Sequence, residues 1–192
     1  PERWVAAMWP VIRARLPDPP ARVLELGCGR QGGFVPQLDA LGYAALGVDP
    51  EAPEGASFRR AAFEELEPLD PVDAVVASLS LHHVRDQAQV LDRVATILVP
   101  GGRLIAIEWV WEDFDEATAR WCFDRLEPDG EDWLHRRRDG SLASGRPWDE
   151  YFPEWARDHG IHPFGSLLPL LDERFVRDHL GREPYFFPNL TA

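Results

Sequence analysis

The stretch Val23-Leu24-Glu25-Leu26-Gly27-Cys28-Gly29 decides the fold. Arg22 to Leu26 is a mostly apolar run of strand length, and it ends in two glycines separated by one residue. A strand that enters a glycine turn and reopens as a helix lets the backbone approach a ligand closely and aims N–H groups at it. The segment that follows places Phe34, Leu38 and Leu41 on one helical face, and Gly42 stops it.

The same alternation continues outward from this turn. Tyr43–Val48 reads as a second strand ending at Asp49-Pro50, and a third lies near Ser57–Ala61, followed by an acidic turn or helix at Glu64–Glu67. Val72–Leu79 is a buried strand, and Asp86 caps a helix whose Val90, Leu91, Val94 and Leu98 face the sheet. Pro100-Gly101-Gly102 is a tight turn into a fifth strand, Arg103–Trp109. Upstream, residues 2–16 form an amphipathic helix with Trp4, Val5, Met8, Trp9, Ile12 and Leu16 at helical spacing, closed by Pro17-Asp18-Pro19-Pro20.

Strands alternating with helices at short spacing predict an α/β fold, a Rossmann-like, doubly wound and mostly parallel sheet. The whole chain, 1–192, reads as a single domain. It comprises the helix at 2–16, a core at 21–109, a helical lid or insert at 110–165 and terminal strands within 166–192. The insert carries helices near Asp115–Leu126 and Asp149–His159, and the terminal strands fall near Arg174–Asp178 and Pro184–Leu190, one antiparallel to the rest. Ligands of such sheets bind beyond the carboxyl ends of the strands. Candidate functional residues therefore cluster at Gly27 to Gly33, Asp49, Phe63-Glu64, Ser78 to His83 and Glu108.

Composition narrows the chemistry. The formal net charge is -13, from 33 acids against 20 bases, which opposes a main task of gripping phosphate backbones. Every base is arginine, so Schiff-base, P-loop and general-base lysines are excluded. Cys28 and Cys122 alone make neither a disulfide framework nor a structural zinc site. No apolar run approaches the roughly 18 residues that span a bilayer. The start, Pro1-Glu2-Arg3-Trp4, has no signal-peptide pattern and no initiator methionine, which leaves room for residues upstream. A cytoplasmic location is expected, with no membrane or nucleic-acid partner.

Two readings of the glycine loop compete. Gly27, Gly29 and Gly32 fit the dinucleotide fingerprint G-x-G-x-x-G, with Asp49 at the distance of a ribose-binding acid, which suits an NAD(P)-dependent oxidoreductase. Glu25 before the first glycine gives E-x-G-x-G instead. This resembles the first motif of class I S-adenosylmethionine-dependent methyltransferases. Gly47-Val48-Asp49-Pro50 resembles their second motif, Asp73 through Ser78-Leu79-Ser80-Leu81-His82-His83-Val84 their fourth-strand motif, and Leu98-Val99-Pro100-Gly101-Gly102-Arg103-Leu104 the turn before their fifth strand. The resemblance covers 21–109 well and the remainder loosely. It implies S-adenosylmethionine as cofactor, bound by Glu25, Gly27, Cys28, Gly29, Asp49, Phe63, Glu64 and Ser78. Gln31 stands where the family often has a third glycine, and Ala62 where it has an acid after the third strand. The adenine contact then falls to the Phe63 backbone and Glu64. Cys28 is read as packing with a backbone contact. A third reading is a methyltransferase-like fold that binds without catalysis.

The resemblance also implies methyl transfer to a small-molecule oxygen or nitrogen acceptor by in-line displacement. His82 and His83 stand just past the fourth strand, and either can take an acceptor proton. The competing reading packs one over the cofactor and lets the other cap the next helix. Glu108 occupies the acidic place that borders the acceptor in resembling O-methyltransferases. A metal held by these three residues is disfavoured, because adjacent histidines on an extended turn point apart. His135-Arg136-Arg137-Arg138 suits an anion clamp or a surface turn that neutralises nearby acids, ten of which lie within 108–132. Six of the eight tryptophans lie at or beyond 109 and suit an acceptor pocket, a core or a homodimer interface. His159 and His162 read as structural.

Overall fold

The computed structural model describes residues 2–66, 69–127, 129–182 and 190. Five strands form one sheet: β1 (Arg22–Leu26), β2 (Ala44–Asp49), β3 (Phe58–Arg60), β4 (Val72–Ser78) and β5 (Leu98–Ile107), in the order β3-β2-β1-β4-β5. All four pairings are parallel, with Leu26 opposite both Val48 of β2 and Ala77 of β4. The strand order reverses at β1, so the turns after β1, β2 and β4 meet at one edge.

Side-chain alternation explains why helices cover both faces. Leu24, Leu26, Val75 and Ala77 point into one apolar cluster with α3 (Gln87–Ile97) and α7 (Phe164–Arg174). Val23, Ala74 and Val76 point into the opposite cluster with α1 (Glu2–Arg13) and α2 (Val35–Ala40). Asp86 caps α3, its carboxylate accepting from the Gln89 amide at 3.0 Å, a contact of about 1 kcal/mol. The expected tight turn at Pro100-Gly101-Gly102 is a bulge inside β5: Val72 faces Leu98 while Ala74 faces Arg103, so residues 99–102 loop out, with Gly101 at φ +81°.

The insert is more helical than its pattern suggests. It holds α4 (Glu116–Phe123), α5 (Trp133–Ser144) and α6 (Trp148–Asp158). The basic run lies on α5 instead of a turn: its first-turn cap is Asp132, and Arg137 stacks 4.0 Å over the Trp155 ring. A third apolar cluster joins Trp109, Phe114, Leu134, Trp148 and Phe152, with Trp148 stacked on Phe152 at 4.6 Å and its indole N–H donating to the Phe114 carbonyl. Each such ring pair contributes about 0.5–1.5 kcal/mol beyond area burial. The tryptophans are thus spent largely on packing.

The acids of 108–132 are spent locally as well. Asp115 and Asp132 cap α4 and α5, Glu116 accepts from the Trp148 amide and pairs with Arg120, and Glu112 accepts from Gly165 N.

The C-terminal expectation needs correction. Residues 171–174 end α7, and 175–178 form no strand: Phe175 packs on the α3-side cluster while Val176 is 98% exposed. The second expected strand, Pro184–Leu190, falls almost wholly outside the described residues. Among the described residues no antiparallel strand joins the sheet, and no helix is long and apolar enough to cross a membrane.

Candidate active site

A cavity of about 890 Å³ opens at the carboxyl edge of the sheet. That volume lies within the roughly 300–1,000 Å³ of small-molecule sites. Gly27, Asp49, Glu51, Ala62, Phe63 and Glu64 line it from the ends of β1, β2 and β3. Leu79, Ser80 and His83 line it from the turn after β4, and His159 and His162 from the segment between α6 and α7. A smaller cavity, about 490 Å³, lies in the insert around Glu116, Phe123, Leu142 and Trp148 and includes no strand-end residue.

The glycine loop is shaped by its own hydrogen bonds. Gly27 N donates to the Val48 carbonyl at 2.8 Å, and Gly29 N donates to Asp49 Oδ2 at 3.0 Å. Asp49 Oδ1 accepts from Glu51 N at 2.7 Å. Asp49 thereby joins the β1 turn to the β2 turn and faces the cavity between them. Gly27 sits at φ +83°, and a Cβ on it would lie 2.4 Å from Ser80 Cβ. A Cβ on Gly29 would meet open space. Together these features fit an adenosyl ligand: a carboxylate for a ribose diol, a bare glycine loop, an apolar Ala62-Phe63 wall, and Ser80 Oγ, buried without a protein partner among the described residues.

Several residues expected at the cofactor stand behind this surface. Glu25 is 1% exposed, and its Oε2 accepts from Phe34 N at 2.8 Å. It holds the loop from beneath. A Cβ on Gly33 would come within 2.1 Å of its Oε1. Burial pushes the Glu25 carboxyl from its ordinary 4.5 up to about 8, against the pull of the Phe34 and Val35 amides, with the Asp49 charge adding to the rise. Cys28 packs against Gly47, and burial, then the nearby Glu25 and Asp49 charges, raise its thiol to about 12, so it is no nucleophile. Ser78 Oγ accepts from Trp4 Nε1 of α1, away from the cavity, whereas Ser80 lines it.

The Glu25 value carries a prediction. Below 4.5 both folded and unfolded chains hold this proton. Between 4.5 and about 8 the folded chain holds it and the unfolded chain does not, so this contribution to stability is lost as pH rises to about 8. A displacement of that size corresponds to roughly 2–5 kcal/mol. Urea unfolding of Glu25→Gln, measured from pH 5 to 9, is expected to lack that part of the slope. Parallel pH profiles for the two proteins would refute the assignment.

The turn after β4 has a different logic. Leu79 lies at φ +56°, a conformation costing about 1–3 kcal/mol for a non-glycine residue. Its amide remains tied to Ile107 O at 2.7 Å, and the kink redirects the next residues toward Glu108. Glu108 Oε1 accepts from Ser80 N at 3.1 Å and Leu81 N at 2.8 Å, and Oε2 accepts from His82 Nδ1 at 2.5 Å. Both oxygens are engaged and the side chain is 2% exposed, so Glu108 is a buried anchor and does not border the cavity. His82 is buried with it, its ring 4.2 Å from that of His83. His83 alone of the pair opens on the cavity. Desolvation by the surroundings, then the neighbouring His82, hold His83 below the usual imidazole range, at about 4, against an upward pull from Asp49. His83 is therefore neutral at pH 7. Among the described residues no three metal-ligating side chains converge.

A family model described as a methyltransferase domain matches residues 2–166. The chain belongs to the methyltransferase-domain family. Among relatives of this methyltransferase-domain chain, the ubiquinone biosynthesis O-methyltransferase of Xylella fastidiosa (strain 9a5c) is 35% identical over 122 residues, 54% of this chain and 50% of that protein. The chain spans about half the length of the curated relatives it matches. An S-adenosylmethionine dependent methyltransferase from Mesorhizobium loti is 32% identical with a TM-score of 0.44, covering 52% of each chain. A putative methyltransferase from an antibiotic biosynthesis pathway of Anabaena variabilis shares the fold at TM-score 0.51 and 20% identity, covering 90% of this chain and 60% of that one.

His159 and His162 are the wall residues that pattern reading assigned to structure. They lie between α6 and α7, and nothing in their local spacing marks the cavity they border. Their position just past an insert helix is the one local signal, and it fits a helix end equally well.

Proposed function

We propose that this methyltransferase-domain chain uses S-adenosylmethionine to methylate a small-molecule hydroxyl, with phenol-type acceptors favoured. The observation that carries this reading is one cavity lined both by Asp49 with the glycine turn and by the imidazole of His83. Asp49 is assigned the ribose hydroxyls, the Gly27–Gly29 backbone the amino-acid portion, and Phe63 with Glu64 the adenine. Glu25 supports the loop from behind. The bound cofactor would supply an electrophilic methyl group, and the protein supplies placement, a contribution that can reach about 7–11 kcal/mol.

His83 accepts a hydrogen bond from the acceptor hydroxyl and orients its oxygen. An imidazole held below its usual range is a weak store for a proton at pH 7. Hydroxyls that ionise readily, near a phenol's roughly 10, suit such a site better than aliphatic alcohols. The matched relatives named O-methyltransferases favour oxygen over nitrogen.

Calorimetric titration with S-adenosylhomocysteine and with NAD, followed by turnover of a phenol panel with S-adenosylmethionine, tests the reading. Micromolar binding of S-adenosylhomocysteine and methylation of at least one phenol are expected. Binding of NAD alone would assign the loop to an oxidoreductase. S-adenosylhomocysteine binding with turnover of amines only would overturn the acceptor assignment.

A further inference from the structure

We propose that Glu108 is a positioning residue that couples both walls of the acceptor end through His82. Five hydrogen bonds link the two walls. Glu108 takes the Ser80 and Leu81 amides on one oxygen and the His82 Nδ1–H on the other. The His82 carbonyl accepts from His162 N at 2.9 Å. The His162 carbonyl in turn accepts from the Trp111 indole at 3.2 Å.

The consequence follows from which residues are held. Glu108 pins residues 80, 81 and 82 in succession, and His83 is the next residue along the chain. Residue 162 belongs to the second wall and does not touch Glu108; its tie to the strand-end turn is the His82 carbonyl. One buried carboxylate therefore sets where His83 stands and where the segment between α6 and α7 docks. A carboxylate that already takes three hydrogen bonds and is 2% exposed is closed off from an acceptor. The Leu79 kink needs such an anchor, since a left-handed residue persists where its surroundings over-determine it.

The inference rests on the methyl-transfer reading for what the turn is for, and its test needs no acceptor. Glu108→Gln keeps an oxygen for the two amides but sets an NH₂ against His82 Nδ1. His82 must then give up its Nδ1 proton and take the Nε2–H tautomer, which ¹⁵N chemical shifts of the ring read directly. Amide hydrogen exchange should speed up at least tenfold at His162, which Glu108 does not touch, as well as at Ser80 and Leu81. His82→Ala, which leaves the carboxylate in place, should reproduce the His162 acceleration and add little in the Glu108→Gln background; it also stands alone if the Gln protein does not fold. Faster exchange confined to Ser80 and Leu81, or an unchanged His82 tautomer, would reduce Glu108 to a local prop. Failure of the parent to bind S-adenosylhomocysteine would count against the methyl-transfer reading, while the exchange data would still decide the coupling.

Discussion

Asp49→Ala is expected to weaken S-adenosylhomocysteine binding about 100-fold, close to 3 kcal/mol, while leaving the fold intact. Asp49 sits at the end of β2, lines the cavity, and spends its oxygens on Gly29 N and Glu51 N. A carboxylate has about four lone-pair sites, so these two bonds leave capacity for a ribose diol. Hydrogen bonds to a charged group contribute about 1.5–3 kcal/mol each, and alanine removes those to the ligand together with the brace on the glycine loop. Asp49→Asn keeps one carbonyl acceptor and should fall between the two. Isothermal titration decides the matter. Affinity within threefold of the parent for Asp49→Ala would remove Asp49 from the site.

Gly27→Ala should cost the fold about 2–4 kcal/mol and lower Tm by roughly 5–15 °C. The added methyl would sit 2.4 Å from Ser80 Cβ, an atom carried directly on the backbone, so relief requires one turn to move away from the other. The positive φ adds its own penalty. Gly29→Ala supplies the control, since Gly29 is also left-handed but a Cβ there meets nothing within 4 Å. It should lose only about 1–2 kcal/mol. Differential scanning calorimetry on the pair separates contact from conformation. Equal losses would show that the Gly27–Ser80 approach does not matter.

Much of this protein was legible in short stretches. The run from Arg22 to Gly29, the acid after β2 and the apolar strand at Val72 each declare themselves within a few residues, because strand alternation, turn glycines and helix caps are local rules. They suffice for a parallel α/β sheet and for placing Asp49 beside the glycine loop. The expected antiparallel strand failed at 174–178 because Arg174 closes α7, Phe175 packs on the apolar cluster and Val176 is 98% exposed, so the segment offers no face to pair with the sheet.

The rest of the cavity wall was not legible in this way. Ser80 replaces Ser78, His83 separates from His82, and Glu108 turns from a cavity residue into an anchor, all because Leu79 adopts a left-handed backbone that no nearby residue announces. His159 and His162 reach the cavity from about eighty residues away in the chain, carried there by insert helices whose docking is set by ring packing and by the His82 carbonyl. The sequence by itself determined the sheet and its cofactor edge, since those depend on periodicity and single turns. The tertiary structure alone decided which further side chains line the cavity, since that depends on one strained residue and on contacts between segments far apart in the chain.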